Sequence, residues 1–392
     1  MQEMVRGSRG YWAWIASLLL LSAFGGAFYV QQLTHGLVVT RMNNQVSWGF
    51  YLANFNFVVG VAAAAVMLVI PAYIFHRDDI KEVVLIADTM AIAAVTMAIL
   101  FVVADLGRPD RLWHLIPGIG RFHFPESMLA WDVVVLCGYL ALNAGISFYI
   151  IYCDYRGWEP RLALYFPFVI LAIVWALAIH TVTAFLYAAN TGRAFWHTAL
   201  LAPRFIASAF ASGPALMIVG LQIIRRLGNH PVRPSVIHHL AVVMTVALQI
   251  TLFFLGAELF TEFYSEGQHA RSARYLFLGL DGHNALVPWI WSALVMLALA
   301  TLIGSVHPLR RNPVALNLAC GLTAVGVWIE KGMGLVIPGF VPTPIGEIYE
   351  YTPSLHEVAI SLGIWGLGLL LFTLLTKAAI PIKLGRMRRS DG

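Results

Sequence analysis

The chain has 392 residues, of which 59% are apolar and only 11% charged, with a mean hydropathy of +0.77. A soluble domain carries about a quarter charged residues, so this composition excludes a soluble fold and calls for a lipid bilayer. In a membrane chain, a net charge of +5 is read as setting topology, and nucleic acid is not expected as a partner.

In chain order, runs of about 20 apolar residues predict spans at 11–33, 48–75, 83–104, 131–152, 162–189, 203–224, 239–263, 284–304, 314–336 and 355–376. The fold expected is an all-α integral membrane protein of ten transmembrane helices. The first run follows Arg6 and Arg9 but is too long for the apolar core of a signal peptide, so it is read as a retained span. The ninth is the weakest, because Glu330 and Lys331 interrupt it.

Ten spans place both termini on one face. About two-thirds of the 25 Lys and Arg residues fall on that face, among them Arg6, Arg9, Arg225, Arg226, Arg386, Arg388 and Arg389, whereas Arg41, Arg108, Arg193, Arg204 and Arg271 fall on the other. The positive-inside rule therefore predicts cytoplasmic termini and a multi-pass protein of the inner (cytoplasmic) membrane. The longer links 105–130, 190–202, 264–283 and 337–354 lie on the outer face, and loops of that length are candidates for docking a partner.

Ionisable groups inside a bilayer cost several kcal/mol and mark function by default. Nearly all of them fall in the outer half. Trp48, Tyr51, Asn54 and Asn56 open the second span, Asp105 closes the third with Arg108 three residues on, and Trp131 and Asp132 open the fourth. His180 lies in the outer half of the fifth span. Glu258 and Glu262 lie near the outer end of the seventh, Glu330 and Lys331 end the ninth, and Glu357 starts the tenth; Asp88 is the exception in the inner half.

Each has a structural alternative: an Asp105–Arg108 ion pair at a helix end, Asn54 and Asn56 as interhelical glue, Asp132 as a charge favoured by the helix dipole, or Trp and Tyr as an interfacial belt. Haem is not expected, because His238 and His239 lie at the opposite end from His180 and give it no depth-matched axial partner. Three cysteines, Cys137, Cys153 and Cys320, are too scattered to ligate an iron–sulfur cluster or zinc. No metal site is therefore assigned.

The run containing Trp48-Gly49 and Asn54, the run Asp105-Leu106-Gly107-Arg108-Pro109 continuing to His114, and Trp131-Asp132 resemble the quinone-interacting membrane subunits of the polysulfide reductase (NrfD-like) family. The similarity continues through His180-Thr181 and Phe195-Trp196-His197 to Ser208–Gly213. Within that family, Val341-Pro342-Thr343-Pro344 and the stretch from Tyr351 to Glu357 look most like the DsrP subunits of DsrMKJOP complexes, with hydrogenase and alternative complex III subunits as competitors.

The resemblance implies two four-helix bundles, 48–189 and 203–336, with 11–33 and 355–376 peripheral. It also implies a quinone, with menaquinone favoured, and an extracytoplasmic iron–sulfur subunit alongside other membrane and cytochrome subunits. On this reading Asp132 and His180 are the catalytic candidates, and Trp48, Tyr51, Asn54, Asp105, Arg108 and Trp131 the quinone-binding ones. Asp88, Glu258, Glu262, Glu330, Lys331 and Glu357 are candidate stations of a proton path. A secondary transporter and a purely structural anchor of a redox complex are the competing readings.

Overall fold

The computed structural model describes residues 7–62, 65–227, 232–264, 267–385 and 387; of residues 268 and 269 only the backbone is described. Arg6, Arg386, Arg388 and Arg389 of the topology argument lie outside the described residues, as do residues 63 and 64 of the second predicted span.

Ten helices are long and apolar enough to cross a membrane: α1 Arg9–His35, α2 Phe50–Ile74, α3 Asp78–Asp105, α4 Met128–Arg156, α5 Leu162–Ala188, α6 Leu201–Leu227, α7 Pro234–Tyr264, α8 Val287–Ser305, α9 Pro313–Gly339 and α10 Leu355–Lys383. No strand occurs among the described residues, and one isolated bridge joins Leu280 and His283. This is the expected all-α integral membrane fold. In hydrocarbon each backbone N–H and C=O must be paired within its own segment, which leaves helices as the solution for apolar runs of this length.

Several helices extend beyond the apolar runs because polar caps, not hydropathy, set their ends. Ser127 caps α4 by accepting from the Ala130 N–H, and Gly157, at φ +72°, terminates it. The helix thus starts three residues ahead of the predicted 131. Ser354 and Glu357 form a reciprocal capping box on α10. In α9 the helix runs unbroken through Glu330 and Lys331, breaks at Gly332 and resumes to Gly339.

α2 and α3 are the interior of the molecule, with 81% and 78% of their apolar windows buried against 17% for α1. α2 packs on α3, α3 on α4 and α4 on α5; α6 packs on α7, α7 on α8 and α8 on α9, while α6 also meets α9. α2 and α5 meet α6, which joins the two halves of the chain. α10 packs along α1 and α3 and reaches α2, so it is less peripheral than α1. At the α1–α10 crossing a Cβ on Gly25 would stand 2.5 Å from the Gly363 Cα; only glycine permits that approach.

Candidate functional site

Asp132 is 1% exposed, and its Oδ1 accepts from the Thr183 hydroxyl of α5 at 3.0 Å. Its place in α4 rules out the capping explanation. Ser127 is the cap, and Asp132 lies beyond the first turn, which holds no acidic residue. His180 is three residues before Thr183 on α5, also 1% exposed. Its Nδ1 is 2.7 Å from the Ala176 carbonyl, which can only accept, so Nδ1 carries the proton. Nε2 is buried and has no hydrogen-bond partner. Asp132 thus ties α4 to α5 through Thr183, and His180 lies one turn along α5 from that hydroxyl.

From Asp132 the buried polar residues of α4 continue at Tyr139, Asn143 and Ser147, a single helical face by their seven- and four-residue spacing. Tyr139 donates to the Ala62 carbonyl at 3.2 Å, and Asn143 to the Tyr139 carbonyl at 2.8 Å. Ser147 donates to the Asp88 carboxylate of α3 at 3.3 Å. The face spans ~22 Å at 1.5 Å per residue and ends at Asp88, the one acid expected in the inner half.

The second half carries a different kind of site. Arg204 of α6 is 4% exposed and ion-paired to both Glu258 of α7 and Glu330 of α9. Lys331 donates to the Phe205 carbonyl at 2.6 Å with its ammonium 4.1 Å from the Phe205 ring centroid. Glu262, one turn beyond Glu258, is buried too. Arg204, an outer loop charge by sequence, is inside the molecule: α6 begins at Leu201, three residues before it, and carries it into the interior.

Asn54 does not join Asp132 and His180. Its Oδ1 accepts from the indoles of Trp328 on α9 at 3.1 Å and Trp365 on α10 at 3.0 Å, while its amide donates to the Phe50 carbonyl at 2.8 Å. Asn56, about 200° around the helix, faces the other way, accepting from Tyr187 at 2.9 Å and donating to the Lys331 carbonyl at 3.1 Å. Both asparagines therefore bridge helices. Asn54 lines a groove of about 390 Å³ between α2, α6, α9 and α10.

Around the rim the remaining candidates separate. Tyr51 donates to Gln32 of α1 at 2.6 Å, and Gln32 donates to the Ala104 carbonyl at 2.7 Å, next to Asp105. Arg108 pairs with Asp110 through two hydrogen bonds of 3.0 and 2.9 Å, so the Asp105–Arg108 pair anticipated from spacing is not formed. That guanidinium holds the Asp110 carboxyl below the usual range. Both lie at a surface cavity of about 360 Å³ with Gln32, Gly36 and Gly107. Trp131 donates to the Pro125 carbonyl at 2.8 Å and packs on Phe124, anchoring the 105–130 loop. Trp48 stacks on Trp196 at 5.6 Å, within a cluster that includes Tyr187 and Phe340.

Glu357 receives the Arg41 and Ser354 N–H groups at 3.0 and 2.8 Å and the Tyr351 hydroxyl, which in turn accepts from the Phe50 N–H at 2.9 Å. Burial and the Glu357 carboxylate push the Tyr351 hydroxyl above the ordinary tyrosine range. The arrangement ties the starts of α2 and α10 together. Gln32, Thr183, Tyr139, Ser147 and Arg204 escape the sequence reading; the four-residue spacing of Tyr139, Asn143 and Ser147 is the available signal. Among the described residues no group of three His, Cys, Asp or Glu side chains converges as a metal site.

A family model for polysulphide reductase, NrfD, matches residues 38–342. The chain belongs to this family. Three relatives of the NrfD chain extend over nearly its full length. It is 26% identical to a putative dimethyl sulfoxide reductase membrane subunit of Halobacterium salinarum, over 91% of this chain and 88% of the relative. It is 25% identical to an Hdr-like menaquinol oxidoreductase integral membrane subunit of Archaeoglobus fulgidus, over 94% and 95%. It is 22% identical to a selenate reductase subunit of Mesobacillus selenatarsenatis, over 90% and 89%. All three are named as subunits of reductases or oxidoreductases, and two of the names place the subunit in a membrane.

Proposed function

We propose that this NrfD-family chain is the quinone-interacting membrane subunit of a respiratory redox complex, exchanging electrons between an extracytoplasmic iron–sulfur subunit and the menaquinone pool. Quinone conversion moves two electrons and two protons, so the protein needs a proton-exchanging group in an apolar setting. The observation that carries the reading is Asp132: a carboxyl buried inside a helix bundle, in the half away from the chain ends, held by the Thr183 hydroxyl, which lies one helical turn from His180 on α5. The menaquinol oxidoreductase relative supports the same substrate class.

The assignment of Asp132 and His180 as proton-exchanging residues belongs to this proposal, as does the division into two four-helix bundles, 48–189 and 203–336. The α4 face from Asp132 to Asp88 is its proton route in the first of them. Among subfamilies, the resemblance of 341–344 and 351–357 to DsrP supports a role in sulfur or sulfite metabolism.

The iron–sulfur partner docks on the loops 105–130 and 264–283. In the first of these Trp113, Ile116 and Ile119 are 48%, 48% and 69% exposed, an apolar surface suited to protein contact. Both termini are cytoplasmic in this arrangement. The test is purification of the native complex through a tag on this chain, identification of the co-purifying subunits, extraction of bound quinone and assay of quinol-dependent electron transfer. An intact complex that neither contains quinone nor reacts with quinol would reject the reading.

A further inference from the structure

The link between α8 and α9 reads His307-Pro308-Leu309-Arg310-Arg311 and folds as one turn of helix, so His307, Arg310 and Arg311, at spacings of three and four, share a face. His238, near the start of α7, meets this turn with its ring centroid 6.4 Å from that of His307. Arg311 and His307 are exposed, and Arg310 and His238 half-buried, so the cluster is open at the surface. Other basic residues at this end of the helices have acids beside them: Arg77 pairs with Asp79 at 2.7 Å, Arg233 with Glu82 at 3.1 Å and Lys383 with Asp154 at 3.3 Å. Among the described residues neither Arg310 nor Arg311 is paired with a carboxylate. The charges that act on His238 come from Arg310, Arg311, His307 and His239, each of them a base.

Like charges gathered without a counter-charge repel one another and attract an anion. The turn that carries them is fixed in advance. Arg310 Nη1 donates to the Gly304 carbonyl at 2.8 Å, and Asn312 caps α9 by accepting from the Val314 and Ala315 N–H groups at 2.9 and 3.3 Å. An anion bound here therefore has little of the protein to order.

Beside the cluster runs an apolar wall. Gln249 of α7 donates to Ser305, the last residue of α8, at 3.0 Å, which sets the two helices side by side just before the turn. Val246 and Ile250, flanking Gln249, and Leu302, one turn before Ser305, are all exposed. A phosphate diester with two acyl chains uses both parts. A soluble anion would leave the wall bare, and a zwitterionic phospholipid would bring an ammonium to a cluster that has no acid to receive it.

We infer that the α8–α9 turn and the start of α7 form a binding site for an anionic phospholipid. Arg310 and Arg311 hold its phosphate, His307 and His238 stand beside them, and the acyl chains lie along Val246, Ile250 and Leu302. The lipid supplies the negative charge that the chain itself does not place there. The site is independent of the quinone reading and takes its lipid whether or not the chain reacts with quinone.

The experiment is native mass spectrometry of the purified, delipidated full-length chain in a neutral detergent, titrated with dioctanoyl phosphatidylglycerol, with dioctanoyl phosphatidylethanolamine, or with inorganic phosphate. One phosphatidylglycerol is expected to bind about tenfold more tightly than phosphatidylethanolamine. The double variant His307→Gln, Arg311→Gln changes two exposed side chains and is expected to weaken phosphatidylglycerol about tenfold and erase the preference. Arg233→Gln removes a charge from the same face, at its pair with Glu82, and is expected to leave the affinity within about twofold. Unchanged affinity in the double variant would overturn the assignment, and so would equal binding of the two lipids. A fall of the same size in Arg233→Gln would trace binding to overall charge and overturn it too. Inorganic phosphate that displaced the lipid at equal concentration would make this a site for a soluble anion instead.

Discussion

Replacing Asp132 by Asn separates a proton-exchanging role from a structural one. Asparagine keeps the size, and its Oδ1 accepts the Thr183 hydroxyl as the aspartate does, so the 3.0 Å bond survives. The loss in stability is then at most the difference between a charge-assisted and a neutral hydrogen bond, about 1 kcal/mol. The α4 cap is untouched, because Ser127 supplies it. If Asp132 exchanges the proton, quinone turnover drops about a hundredfold or more in a complex that assembles normally. Thr183→Val is the control: it removes the hydroxyl, keeps the carboxyl, and is expected to cost about 1–3 kcal/mol with a milder loss of rate. The assay is quinol oxidation by the assembled complex, beside thermal unfolding of the same preparations. Wild-type turnover in Asp132→Asn would refute the reasoning and leave Asp132 as packing.

Arg204→Met leaves Glu258 and Glu330 buried without their cation and is expected to destabilise the chain by about 3–5 kcal/mol, seen as loss of assembled complex; adding Glu258→Gln and Glu330→Gln is expected to restore most of it. His180→Ala is expected to slow turnover and leave assembly intact, since its Nδ1 bond is returned to its own helix. Glu357→Ala is expected to cost about 1 kcal/mol or more through the lost capping box, whereas Glu357→Gln keeps the box and is expected to turn over normally; a dead Glu357→Gln complex would make Glu357 a proton carrier. Reporter fusions at the two ends are expected to report a cytoplasmic location for both, and a C-terminal reporter active only outside would overturn the topology.

Depth is legible in the sequence and direction around the helix is not. The position of Asp132 or His180 along its helix follows from counting residues into an apolar run. Asn54 and Asn56 differ in which neighbour they face, and α2 is apolar on every side, so no polar stripe marks its orientation. For that reason the sequence groups Asn54 with Asp132, whereas the structure turns it to α9 and α10. Arg204 misleads for another reason: an arginine at the edge of an apolar run looks like a loop charge until its carboxylates, 54 and 126 residues away in sequence, are brought to it. With Glu357 the local signal is present, since Ser354 three residues earlier makes the S-x-x-E capping pattern. The general rule that an intramembrane acid marks function outweighs it.

The two halves of the chain handle buried acids in opposite ways. Among the described residues Asp132 and Asp88 have hydroxyl partners, Thr183 and Ser147. Glu258 and Glu330 are fastened to a guanidinium. Taking up a proton costs Glu258 or Glu330 an ion pair and leaves Arg204 a buried cation with one partner fewer, which is an expensive step. Asp132 gives up no ionic partner on protonation, and a hydroxyl can turn to donate to a carboxylate or accept from a carboxylic acid. The side-chain chemistry therefore favours reversible proton exchange in the half containing α4 and α5. It gives the Arg204 cluster the task of locking α6, α7 and α9 together.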